Sequence, residues 1–80
     1  MNRLTLYEVL RIVEMMSITG NTKVDVYMVG YKSKLLFTFY TSDNFYNVDN
    51  IETHFLREVS AINASVSDSD GSITLNIWVY

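Results

Sequence analysis

The stretch Ile51-Glu52-Thr53-His54-Phe55-Leu56-Arg57-Glu58-Val59-Ser60-Ala61-Ile62-Asn63-Ala64-Ser65-Val66 decides the fold, because it satisfies two periodicities at once. From its start, Ile51, Phe55, Val59 and Ile62 recur at four and three, one stripe of a helix with Leu56 at the margin. From its end, Ile62, Ala64 and Val66 alternate as in a short strand. Asp49 or Asn50 is placed to cap the helix. The spacing predicts a helix over about residues 50–61, giving way to a short strand near 62–67.

Upstream, Thr5-Leu6-Tyr7-Glu8 fits a capping box, with Leu4 and Val9 as the hydrophobic staple. Leu6, Val9, Leu10, Val13 and Met16 make one apolar face, and Gly20-Asn21 ends the segment, so a helix is expected over about 6–17. From Lys23 to Val29 the period changes to two, with Val24, Val26 and Met28 on one face. Lys34 to Tyr40 repeats the pattern with Leu35, Phe37 and Phe39, after a turn at Gly30-Tyr31-Lys32-Ser33. Two alternating runs about a glycine-containing turn read as a β-hairpin. Downstream, Asp68-Ser69-Asp70-Gly71 is a turn, and Ile73, Leu75, Ile77 and Val79 alternate with Thr74, Asn76, Trp78 and Tyr80.

The expected order is α-β-β-α-(β)-β, an α+β domain over residues 1–80. Its antiparallel sheet of three or four strands would carry both helices on one face, a two-layer sandwich. The Met1 start and the close at Tyr80 inside an apolar pattern read as a complete small gene product.

Composition narrows the class. The chain is 49% hydrophobic, which argues against disorder. It has no Cys, which removes a disulfide framework, a thiolate metal site and a cysteine nucleophile; a single His removes a multi-histidine metal site. No apolar run approaches the roughly 18 residues of a membrane span, and no signal peptide is visible. A cytoplasmic location without cofactor, metal or membrane contact is expected.

Three motifs invite chemistry, and each has a plainer reading. His54 and Glu58 lie four apart, where a carboxylate can orient an imidazole; with no nucleophile or pocket beside them, a boundary histidine is the better reading. Asp68-Ser69-Asp70-Gly71-Ser72 resembles the opening of a calcium loop. Counting from Asp68, the sixth and twelfth positions hold Ile73 and Val79 rather than Gly and Glu, so the segment is read as a turn. Lys23, Lys32 and Lys34 share the first hairpin with Tyr27 and Tyr31, a basic aromatic element suited to nucleic acid. Against this stands the net charge of −3.

The charge is polarised. Residues 1–40 carry +2; residues 41–80 carry −5, with Arg57 alone against Asp43, Asp49, Glu52, Glu58, Asp68 and Asp70. If the alternating apolar residues turn toward the helices, the other sheet face carries Tyr27, Tyr40, Trp78 and Tyr80, residue types favoured at interface hot spots. The last strand has no charge or Pro from Ser72 to Val79. At a sheet edge it would offer its backbone to a second copy, giving a homodimer; in a central position it would not.

The sequence therefore points to a non-enzymatic protein acting by protein–protein contact through Tyr27, Tyr40, Trp78, Tyr80, Asp43, Asp49 and Glu52. The alternative is nucleic-acid binding through Lys23, Lys32, Lys34 and Tyr31. In composition the chain is similar to small acidic products of phages and other mobile elements, some of which inhibit host machinery, CRISPR effectors included.

Overall fold

The computed structural model describes residues 3–15 and 22–80. Helix α1 spans Leu6–Met15. The capping box forms as expected: the Thr5 backbone N–H donates to Glu8 Oε1 at 2.9 Å, and the Glu8 N–H donates to Thr5 Oγ1 at 3.3 Å. Leu6, Val9, Leu10 and Val13 are buried, the face that the apolar spacing indicates. The expected continuation to residue 17 and the stop at Gly20-Asn21 lie outside the described residues.

The strands are β1 (Lys23–Met28), β2 (Lys34–Tyr40), β3 (Val59–Val66) and β4 (Ile73–Val79). Their order is β2-β1-β4-β3. Two antiparallel hairpins, β1–β2 and β3–β4, are joined by a parallel pairing of β1 with β4. The sheet is thus mixed rather than antiparallel throughout. The central strands are the most deeply buried: Val24 and Val26 of β1 and Ile77 and Val79 of β4 are all fully buried. With β4 flanked on both sides, its backbone is committed within the chain, and the homodimer expected through that strand loses its route.

The second helix is absent. Residues Ile51–His54 form a 3-10 turn, preceded by another at Phe45–Asn47, and the following residues run into β3. Asn50 precedes the turn in a left-handed conformation, φ 60°, and its side chain caps nothing. The chain takes the period-two reading from Val59 onward because β3 pairs with β4 along its length, satisfying backbone groups that a helix would have satisfied internally. Ile51 is fully buried, as the helical reading also required, but it sits in the turn.

These turns cover one half of the sheet face on which α1 packs. Phe45 approaches Phe39 at 6.3 Å between centroids, His54 approaches Phe37 at 5.7 Å, and Phe55 approaches Tyr7 at 4.8 Å. Phe37 is half-buried on the outer strand, whereas Phe39 is buried. The β1–β2 register steps from Val26↔Phe37 to Tyr27↔Leu35, so Leu36 is the extra residue of a bulge. Leu36 packs against the core and Leu35, expected inside, is exposed. On the β3 side nothing replaces the missing helix among the described residues. A groove of about 410 Å³ runs there, with Val9, Ile12 and Val13 on its wall and Ile62, Ala64 and Leu75 on its floor.

Candidate functional site

The sheet face opposite α1 is set by alternation from the buried residues. Burying Val24, Val26, Ile77 and Val79 aims Lys23, Asp25, Tyr27, Asn76 and Trp78 the other way. Pairing across strands then arranges this face in rows. One row is Leu35, Tyr27, Trp78 and Ala61; the next is Thr38, Asp25, Asn76 and Asn63; the third is Tyr40, Lys23, Thr74 and Ser65.

Tyr27 and Trp78 are neighbours on the parallel central strands and stack, with centroids 5.6 Å apart and planes 20° from parallel. Both are half-exposed, and the small Ala61 beside Trp78 leaves that flank low. Asp25 sits in the middle of the face with its side chain only 9% exposed. It accepts from Thr38 Oγ1 at 2.6 Å, and Lys23 Nζ lies 3.8 Å away. A carboxylate enclosed on an outward face is tolerable because both partners lie on the same face. Asn76 Nδ2 donates to Ser65 Oγ at 3.4 Å, continuing the polar band. The result is an aromatic plate beside a strip of fixed hydrogen-bonding groups.

Not all of the expected residues join it. Tyr40 is exposed in the third row, away from the Tyr27–Trp78 pair. Tyr80 belongs to a separate cluster: its N–H donates to the Glu58 carbonyl at 3.0 Å, its carbonyl accepts from Arg57 at 2.8 Å, and the Arg3 guanidinium lies 5.2 Å from its ring centroid. Bonding to Ser60 and the nearby Arg3 lower the pKa of its phenol. Asp43 is exposed in the turn after β2, where its N–H donates to the Tyr40 carbonyl at 2.9 Å. Asp49 and Glu52 are exposed on the segment that packs on the α1 side, so the structure does not gather the acids with Trp78.

The lysines do not cluster. Lys23 stands opposite Tyr40 at one end of the hairpin, and Lys34 stands opposite Met28 at the other, five residues of strand or about 17 Å away. Lys32 and Tyr31 are exposed in the turn beyond Lys34.

His54 and Glu58 do not form a pair. His54 Nδ1 accepts from Arg57 Nε at 3.0 Å, and burial followed by the Arg57 charge lowers the imidazole pKa. Glu58 faces Arg3 at 3.8 Å. Asp70 Oδ1 accepts the Ser72 N–H at 2.9 Å, and Gly71 takes φ 71°, the left-handed geometry that suits glycine. The Asp68–Ser72 segment is therefore a hairpin turn. Among the described residues no group of three or more His, Asp or Glu side chains is placed to hold a metal ion, and no helix is long and apolar enough to cross a membrane.

Two features escaped the sequence reading. One is Asp25, whose signal is a carboxylate at mid-strand opposite Thr38. The other is that β3 begins at Val59, inside the end of the expected helix, and takes the outer place in the sheet; the spacing predicts only its part near 62–67 as a strand. In comparisons with known proteins the chain matches no family model, no curated protein and no solved structure.

Proposed function

We propose that this is a non-enzymatic protein that works by occupying the surface of another protein, with the stacked Tyr27–Trp78 plate as the centre of its contact. The observation that supports this is the plate itself, a rigid aromatic pair on a sheet face that no described element covers. Rigid aromatics lose little entropy on binding and dominate interface energetics. The polar strip of Thr38, Asp25, Asn76 and Asn63 beside them, in which Thr38 holds Asp25 and Ser65 holds Asn76, supplies hydrogen-bonding groups, the polar surround that hot spots use to exclude water. A target within host machinery, for a product of a phage or other mobile element, is the class that the composition favours.

The test is a capture experiment with wild-type protein and Trp78→Ala side by side, followed by affinity measurement on whatever is captured. A loss of about 30-fold or more, equivalent to about 2 kcal/mol, with folding intact supports the plate. Equal binding by both proteins overturns it. The nucleic-acid alternative rests on Lys32, Lys34 and Tyr31 alone, since Lys23 lies at the far end of the hairpin and faces Asp25. Tight, salt-sensitive oligonucleotide binding lost in Lys32→Glu/Lys34→Glu would replace the protein-binding reading.

A further inference from the structure

Strand β3 ends the sheet, and among the described residues its outer edge is almost bare. The Ser67 N–H donates to the Ser72 carbonyl at 2.8 Å, and the β3–β4 register runs unbroken from there to Ile62. Antiparallel pairing alternates, so Ser65 and Asn63 also turn their backbone groups toward β4. The N–H and C=O groups of Ile62, Ala64 and Val66 consequently point away from the sheet. Among the described residues, the edge meets one backbone group: the Leu4 carbonyl, which accepts from the Val59 N–H at 2.8 Å.

Edges of this kind are normally guarded by lysine, proline or inward-pointing charge. From Val59 to Ser67 there is no charged residue and no Pro. On the α1 side, Ile62 is 49% exposed and Val66 62% exposed, next to the open groove. In a chain of net charge −3, this neutral strand is where two copies can meet without like charges opposing each other along it. Of the acids that flank the strand, Glu58 already faces Arg3, and Asp68 lies in the turn beyond Ser67, opposite the neutral Ser60 of a second copy when the axis is at Ala64.

We propose that a second copy of this chain docks here, β3 antiparallel to β3 across a two-fold axis at Ala64, doubling the width of the sheet. In this register Ile62 lies opposite the second copy's Val66 on the α1 side. Asn63 lies opposite the second copy's Ser65 on the other face, apolar against apolar and polar against polar. The outward backbone groups of Ile62, Ala64 and Val66 all find partners. An axis at Asn63 instead sets Ile62 against the smaller Ala64 and Val66 against Ser60, and on the other face Ala61 against Ser65, a poorer match. Twofold symmetry makes the patch its own complement.

The proposal is tested by sedimentation equilibrium across a concentration series. The expected result is a monomer–dimer equilibrium in the wild type and a monomer throughout in Ala64→Pro. Proline removes an N–H that β4 does not use, so the fold is expected to survive. Val66→Lys, at an exposed position, provides the same reading if the proline variant does not fold. Because the chain has no Cys, Ala64→Cys adds a register check. Residues paired as Ala64 is at the axis have Cα atoms about 5.5 Å apart, within disulfide range, so oxidation gives a linked dimer, whereas Ser69→Cys in the turn does not. A wild type that stays monomeric at every concentration overturns the proposal. So does a dimer that survives both Ala64→Pro and Val66→Lys but is lost in Trp78→Ala, which places the joint on the other sheet face.

Discussion

Trp78 lies on Tyr27 at 5.6 Å across the parallel junction of β1 and β4, so the aromatic plate is built from the two strands that join the hairpins. The two rings cover each other on one side and leave the outer side to solvent. Trp78→Ala is therefore expected to cost folding about 1–2 kcal/mol, from lost stacking and partial burial. Ile77→Ala, one residue away and fully buried, is expected to cost about 2–5 kcal/mol. Urea unfolding of the two variants checks the ranking; the reverse order would place Trp78 in the core.

The two phenylalanines of β2 separate in the same way. Phe39 is buried against Phe45, while Phe37 is half-buried beside His54. Phe39→Ala is expected to lose about 3–5 kcal/mol and Phe37→Ala clearly less. Equal losses would show that the outer strand is covered along its whole length.

At the start of α1, Thr5→Ala removes the hydroxyl that meets the Glu8 N–H, and about 1 kcal/mol of stability is expected to go with it. Thr5→Ser keeps the hydroxyl and is expected to restore most of that loss. A Thr5→Ala protein as stable as the wild type removes the box from the account of the helix.

His54 gives stability a pH dependence. Its folded pKa lies below the ordinary histidine value, through burial and the Arg57 charge. Between the two values the unfolded chain binds more protons than the folded one, so stability rises with pH. The contribution is complete above the ordinary histidine range and falls as acidification passes down through it. His54→Gln, which keeps an acceptor for Arg57 but cannot titrate, is expected to flatten the fall in stability as the pH drops through the ordinary histidine value of about 6.5. An unchanged slope assigns the dependence to another group. Asp70, whose pKa is lowered mainly by its bonds from Ser72, acts further into the acid range.

Local signals carried most of this fold, and they failed where two periodicities overlapped. Thr5 and Glu8 announced α1, the Gly30–Ser33 turn announced the first hairpin, and the Ile73–Val79 alternation announced β4. Ile51, Phe55 and Val59 share a helical spacing by coincidence; the choice between helix and strand was made by β4, a partner distant in sequence. The parallel β1–β4 pairing was illegible for the same reason, since no local pattern encodes which hairpin edges meet. For the site, the outward aim of Tyr27 and Trp78 followed from alternation alone. Their contact depends on strand order, which places β1 beside β4; the dispersal of the lysines and the separation of Tyr40 from Tyr27 follow from the antiparallel register of the first hairpin, whose consequence for these side chains was not drawn from the sequence.

The central place of β4 also shapes how the fold is acquired. Its parallel partner is β1, so Lys23 and Thr74, about fifty positions apart, must come together before the sheet is whole. Until Ile73–Val79 has been synthesised, the β1–β2 hairpin has no neighbour on its inner side, and Val24 and Val26 have no Leu75 or Ile77 beside them. Closing so long a loop is entropically slow, and the waiting hairpin exposes an apolar edge meanwhile. A ribosome-bound nascent chain shortened before Ile73 should accordingly remain open to proteases, and should become resistant only once β4 has cleared the exit tunnel.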